Sequence, residues 1–317
     1  MNYLIITDQK NQFSNTTSLS NAHCRIPKSN ELEPTIRLSI DKYGDSEDVV
    51  RFVYSRAENV LELFNELSLD YANRAFGVIP VYNVKGGYVL LKKLHEGIHS
   101  ILTNASFINF QRSGREINSI VKRGEEFIDV SSNNLVFASG GFGGKFKHTD
   151  CFRYNDYSLF NSISSQGLKT KNLECLFVHP FGYKSGKLIL TGIESSRGEF
   201  VNSNGNYAFD ENIRKMIKGN DYHEIFDEVL GKIEAIKESG SKIYFKDKNR
   251  RVEISPTVHY TAGGIETDIF GGVMGNEGIY AIGECRADGS KNGGRLPGYA
   301  FTSSIVHAKN LADILAR

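Results

Sequence analysis

Residues 134–146 read NLVFASGGFGGKF. The apolar run Leu135, Val136, Phe137 and Ala138 predicts a core strand, and it passes straight into Gly140, Gly141, Gly143 and Gly144 with Lys145 behind them. Glycine loops after strands often receive phosphates, because a backbone without Cβ atoms can approach an anion closely. The two standard cradles do not fit here. In GxxxxGK[ST], Ser139 stands where the first glycine belongs and Phe146 follows the lysine; GxGxxG meets Phe146 where its last glycine should be. The loop also lies far from the N-terminus, whereas a dinucleotide fingerprint normally opens its domain. Taken alone, the stretch is a tight turn after a core strand.

Working outward, YLIITDQ at residues 3–9 predicts a short strand, and residues 11–34, rich in Ser, Thr and Asn, a loop. Apolar residues recur at helical spacing from Ser46 to Leu67 (Val49, Phe52, Val53, Val60, Leu63, Phe64), with Ser46 as N-cap and Glu47 and Asp48 in the first turn. A second helix is expected over Tyr88–Leu102, then two strands, INSIVK and EFIDVSS, joined at Gly124. The more polar stretch 180–255 reads as an insertion with turns at FGYKSGK and NSNGN and a helix from Tyr222 to Glu238. Strand character returns in GIYAIGE, followed by a glycine-rich turn and a closing helix, FTSSIVHAKNLADILAR.

Composition narrows the class. Over 317 residues, 38 Lys and Arg balance 37 Asp and Glu, which gives no reason to expect nucleic acid or an anionic membrane as partner. No stretch approaches the roughly 20 apolar residues of a membrane span, and the first residues lack the pattern of a signal peptide. Cys24, Cys151, Cys175 and Cys285 are scattered, so free thiols, no metal site and a cytoplasmic protein are expected.

Five further segments change the reading of the opening stretch. NNLVFASGGFGG resembles the ATGG segment of glutathione-reductase-type flavoproteins. NLECLFVHPF and GIESSRGEF are similar to xxEFVQFHPT and TExxRGEG of the succinate dehydrogenase, fumarate reductase and L-aspartate oxidase flavoproteins. VHYTAGGIETDIFGGV resembles that family's HYxxGGIxTDxxGxT, and EGIYAIGECRADGSKNGGRLPGYAFTSSIVHAKNLA its GLYAxGE…GANRLxxNSL…GxxAA. These motifs stand in family order over most of residues 130–317, and the helical region 35–71 looks most like that of L-aspartate oxidases.

The resemblance implies an α/β fold: a three-layer FAD-binding domain of glutathione-reductase type, N-terminally truncated, with an inserted α+β capping subdomain. The implied boundaries are 1–178 and 258–317 for the FAD-binding-like domain and 179–257 for the cap. It implies non-covalent FAD and a small dicarboxylate (L-aspartate, succinate or fumarate) exchanging hydride with flavin N5. Pinning such a substrate needs cations or strong donors at its ends. His259 matches the family's carboxylate-binding histidine, Arg295 its carboxylate fork, and His179 a third substrate-facing residue. Glu194 and Arg197 match TExxRGE, with Glu194 in the substrate region and a proton relay. On the residues alone, His179 beside Pro180 is more often structural, and Arg197 reads as a surface ion pair.

For the cofactor, the resemblance implies that Ser139, Gly140 and Gly141 pass beside the flavin and that Glu284 accepts from ribityl hydroxyls, with Gly283 permitting close approach. Backbone N–H groups of Thr302, Ser303 and Ser304, at the start of the closing helix, would face the ring's pyrimidine edge. Thr16 and Thr17 fall where the membrane enzymes carry the histidine that bonds FAD covalently, and Asp8 at the acidic position that holds the adenosine ribose. The chain also departs from the family. The strand–GxGxxG–helix opening is not found, so a partner chain or a homo-oligomer is expected to complete the sheet. APRD is replaced by FDENIRKMIK, and Lys291 and Asn292 stand for the His-Gly of HGANR. The alternatives to an enzyme are a diverged, non-catalytic relative and a split enzyme.

Overall fold

A computed structural model describes residues 3–317 apart from 75, 186–188, 220–224 and 292. The chain divides into two compact units. The first comprises residues to Phe142, Tyr154–Leu176 and Thr261–Arg317; the second comprises Gly143–Arg153 and Phe177–Tyr260. The linear reading drew the insertion at 179–257 and assigned 143–153 to the first part. In the structure that short stretch belongs with the insertion, because Thr149 bridges to Val258 and its hydroxyl donates to the Val258 carbonyl at 2.8 Å.

In the first unit the parallel strands form two separate pairs. Ile5–Ile6 runs parallel to Ile101–Leu102, and Ile279–Ala281 runs parallel to Leu135–Phe137 with Ala281 opposite Phe137. A meander of Ala105–Ser113, Glu116–Arg123 and Glu126–Ser132 precedes the glycine loop; its two turns use Gly114 and Gly124 at positive φ. The first strand of this meander has no counterpart in the sequence reading.

Helices close around two apolar cores. Val50, Phe52 and Val53 pack with Ile36, Leu296, Tyr299 and Val306; Val60 and Phe64 pack with Cys24, Leu69, Val78, Leu90 and Ile305. The helix expected over 46–67 is two, Glu47–Tyr54 and Asn59–Glu66. Tight turns interrupt it, with Ala57 N–H donating to Tyr54 O and Asn59 N–H to Arg56 O, so the apolar stripe serves two cores rather than one. The expected loop 11–34 carries the helix Thr16–Leu19, capped by the Asn15 side chain, and the strand Cys24–Arg25. The helix expected at Tyr88–Leu102 spans Gly86–His95. Gly86 and Gly87 open it because a Cβ on Gly87 would collide with the Thr17 carbonyl.

The second unit is a four-stranded sheet in the order Leu176–Tyr183, Arg251–Thr261, Ile243–Lys246, Glu199–Asn202. The helices Glu211–Gly219 and Phe226–Glu238 cover it through Ile213 and Ile217 and through Phe226, Val229 and Ile233, spaced three or four apart. The last of these was expected from Tyr222; residues 222–224 lie outside the described ones, as does Asn292. Phe181 stacks on Phe200 at 4.3 Å in this core.

Candidate functional site

Parallel pairing of Leu135–Phe137 with Ile279–Ala281 makes both chains leave the pair at the same end. In open α/β sheets the crevice beyond the carboxyl ends of parallel strands is where ligands bind. Ser139, Gly140 and Gly141 leave from one strand, Gly283 and Glu284 from the other, and Ile282 N–H donates to Phe137 O at 2.9 Å to hold the exits together. Gly140 and Gly283 take positive φ, +77° and +69°. A Cβ on Gly141 would strike the Thr261 hydroxyl and the Glu284 carboxylate, so the loop passes this carboxylate as closely as glycine allows. Glu284 Oε1 accepts the Thr261 N–H at 2.9 Å and its hydroxyl at 3.1 Å, which fixes where the carboxylate lies.

The closing helix spans Tyr299–Leu315 and thus opens earlier than the sequence reading places it. Gly298 caps it at φ +84°, and Thr302 N–H already donates to Gly298 O. Thr302, Ser303 and Ser304 are therefore inside the helix, and its unsatisfied N–H groups belong to earlier residues. Ser303 serves His307: its carbonyl accepts from Nδ1 at 2.7 Å. With Nδ1 committed as donor, His307 Nε2 accepts from Arg286 Nη1 at 2.6 Å. Burial and then the Arg286 charge hold His307 down at about 3, so this ring is a neutral core group.

Asp8 follows the strand Ile5–Ile6. Its Oδ1 accepts from the Gln9 side chain at 2.7 Å, and burial pushes its carboxyl above the ordinary aspartate value. Thr16 and Thr17 open the short helix capped by Asn15. Also in the first unit, Arg295 is ion-paired with Asp288; the two side chains are 5% and 3% exposed. Asp45 is buried near both, and burial pushes it up to about 7 against the pull of Arg295.

The second unit gathers another group of the expected residues. His259 Nδ1 and Asp150 Oδ2 are 2.7 Å apart, with side chains 38% and 13% exposed. A carboxylate can only accept here, so His259 carries a proton on Nδ1 toward Asp150. His179 lies edge-on to His259 at 6.0 Å between ring centroids, and Phe177 is 5.8 Å from His259. His179 Nδ1 accepts the Phe181 N–H at 3.2 Å, so the neutral ring carries its proton on Nε2.

Glu194 is absorbed by local structure. It forms a capping box with Thr191: Oε2 accepts the Thr191 N–H at 3.0 Å and its hydroxyl at 2.9 Å, while Oε1 pairs with Arg250 at 3.2 Å. Burial pushes Glu194 up, but the Thr191 and Arg250 bonds outweigh it and hold the carboxyl below its usual range. Those bonds make Glu194 a helix cap in this structure. Arg197 is exposed at the end of the same helix.

The sequence reading missed Asp150, Asp288, Asp45 and Thr261, the groups that hold the expected residues. Asp150 lies ten residues past Gly140, and Asp288 sits in the glycine-rich turn before Arg295, but proximity in sequence does not reveal such pairings.

A family model described as an FAD binding domain matches residues 208–300. The L-aspartate oxidase of Pyrococcus furiosus is 25% identical over 307 residues, covering 87% of this chain and 64% of that protein. The succinate dehydrogenase flavoprotein subunit of Coxiella burnetii is 26% identical over 224 residues, 58% of this chain and 38% of that subunit. An E. coli quinol fumarate reductase chain superposes with a TM-score of 0.78 at 16% identity, covering 98% of this chain and 64% of that one. The chain thus spans less than two thirds of the length of these proteins. The matches make FAD the cofactor of this fold. The strand-exit glycines, the Thr261-fixed Glu284 and the parallel pair suit its flavin end. No helix of the described residues is opened by a GxGxxG turn to cradle its pyrophosphate.

Proposed function

We propose that this chain, which is similar to the L-aspartate oxidase and succinate dehydrogenase flavoproteins, is an FAD-dependent oxidoreductase of a small dicarboxylate: L-aspartate, succinate or fumarate. The observation that carries the reading is the common exit of two parallel strands, where Gly141 is pared to hydrogen beside a Glu284 held by Thr261. Bound FAD supplies a hydride acceptor or donor at N5. Glu284 accepts hydroxyl donors of the cofactor, and Gly141 lets the loop pass close beside that carboxylate.

His259 supplies a carboxylate-binding cation or a proton through Nε2. Asp150 supports it by keeping the other nitrogen protonated and the ring oriented. His179 and Phe177 wall that ring. Arg295 has the second carboxylate-binding role, and cytoplasmic placement belongs to the same reading. Purified protein loaded with FAD should show flavin bleaching or reoxidation with one of the three dicarboxylates. His259→Ala should lower kcat/KM by about 10²-fold or more. A loaded protein whose flavin responds to none of them contradicts the reading.

A second reading has one observation in its favour. The Arg295 guanidinium already holds a carboxylate of its own chain, as suits a diverged relative that no longer turns over dicarboxylates, or a subunit whose FAD site a partner chain completes. Failure to retain added FAD alone, with retention restored by a partner, would select the split form.

A further inference from the structure

Three short strands of the first unit form a small sheet of their own. Gly77–Pro80 lies in the middle, with Cys24–Arg25 antiparallel on one side and Tyr71–Arg74 on the other. The register sets Arg25 opposite Gly77 and Gly77 opposite Arg74, so the two arginines share a row with a glycine between them. Side chains of one row stand on the same face. Neighbouring strands lie about 4.8 Å apart, which leaves two such long side chains within reach of one small ligand. The middle of the row has to be glycine, because a Cβ on Gly77 would collide with the Cys24 carbonyl. Alternation puts His23, two residues before Arg25, on the same face.

These basic groups have no acidic partner among the described residues. Arg25 is 7% exposed; its Nη1 donates to the Pro297 carbonyl at 3.3 Å, and its guanidinium carbon lies 4.5 Å from the centre of the Phe76 ring. Arg74 Nη1 reaches only the Asn73 carbonyl, at 3.4 Å. Glu31 favours the Arg25 charge from beyond ion-pair distance, and its Oε2 accepts the Lys28 N–H at 3.1 Å. His23 Nε2 is buried with no hydrogen-bond partner among the described residues. Burial, and then the charges of Arg25 and Arg74, hold the His23 ring down at about 4, so it is neutral.

A buried cation without a counter-ion is costly, and so is a buried ring nitrogen without a partner. A planar carboxylate is served by one guanidinium fork. Donors brought together from two strands and an imidazole suit a tetrahedral, doubly charged oxyanion, and guanidinium is well matched to phosphate oxygens. We propose that His23, Arg25 and Arg74 form an oxyanion site for a phosphate-type dianion, with the two guanidinium groups and His23 Nε2 as its donors.

The test titrates the full chain with inorganic phosphate at neutral pH and constant ionic strength, with malonate and chloride as comparison arms. Thermal unfolding and imidazole nitrogen NMR of His23 are followed together. Phosphate should raise the unfolding temperature saturably by several degrees and move His23 toward its charged form, which a nearby dianion favours. Arg74→Gln, at an exposed position, should raise the phosphate concentration needed by about tenfold or more. Arg25→Gln should abolish the response. If Arg25→Gln does not fold, His23→Gln takes its place beside Arg74→Gln.

A phosphate gain no larger than that with chloride would overturn the proposal. So would a gain that Arg74→Gln and His23→Gln leave unchanged, or one that malonate reproduces at the same concentration. Because the readout uses neither flavin nor turnover, a failed phosphate response leaves the oxidoreductase reading standing, and absent turnover leaves this site standing.

Discussion

The two cations singled out by resemblance are held in opposite ways, each within its own unit. Arg295 is 5% exposed and paired with an aspartate that is 3% exposed; His259 is 38% exposed and paired with an aspartate at 13%. A buried ion pair is a structural commitment, because losing one partner strands the other charge away from water. A half-exposed imidazole–carboxylate pair costs little to rearrange and keeps an exposed ring able to exchange protons. Matching residue types in a motif therefore does not establish matching availability; the neighbours decide it.

The contrast can be broken or sharpened by four changes, the largest first. Asp288→Ala should cost about 3–5 kcal/mol of stability, read as a lower denaturant midpoint, since it removes the ion-pair partner of a buried guanidinium. A loss below about 1 kcal/mol would mean that water reaches Arg295 freely and that the pair behaves like a surface one.

Next comes pH. Asp45 titrates near 7 in the folded chain, against 3.8 for an exposed aspartate, because burial disfavours its charge. Between those values the folded chain keeps a proton that the unfolded chain has lost, so stability falls as pH rises through that window. His307 acts oppositely: it is held at about 3 by burial and then by Arg286, against 6.5 when exposed. The unfolded chain then binds the extra proton, and stability rises with pH up to about 6.5. Asp45→Asn should remove the falling limb and leave a steeper rise from pH 4 to 6.5 than the native chain shows. Urea midpoints measured across that range would decide, an unchanged slope being the adverse result.

Gly141→Ala should cost about 1–3 kcal/mol through overpacking against Thr261 and Glu284. It should also weaken FAD retention, whereas the same change at Gly231, a helical glycine with open space around it, should do neither. The smallest effect is expected at Asp150. Asp150→Ala should change stability by less than about 1 kcal/mol. Its signature would instead be a mixture of His259 tautomers in imidazole nitrogen NMR, where the native ring shows the proton on Nδ1. Unchanged nitrogen shifts would mean that the carboxylate does not hold the ring.

The motifs were legible because they are local. A strand, two glycines and a strand exit read directly from ASGG and AIGE, and the closing helix reads from its apolar spacing over Ile305, Val306 and Leu311. Partner choice was not legible. Nothing in HTDC says that Asp150 will meet His259 across 109 residues, nor does RADG say that Asp288 will turn back on Arg295. Glu194 has a second reading that the motif does not display: with Thr191 three residues before it, it also completes a T-x-x-E capping box, and that box forms. The early strands were hard to read for a different reason: the Ala105–Ser113 strand carries Asn, Gln and Arg among its apolar residues, being partly solvated and paired on one side only.

The measurement that bears most directly on the account is the absorption spectrum of the purified chain, taken before and after FAD addition and gel filtration, with Gly141→Leu alongside. The account predicts flavin bands that survive filtration in the native chain, alone or with a completing partner, and are lost in the variant. A native chain that stays colourless under both conditions, or a Gly141→Leu protein that folds and retains FAD as well as the native one, would contradict it.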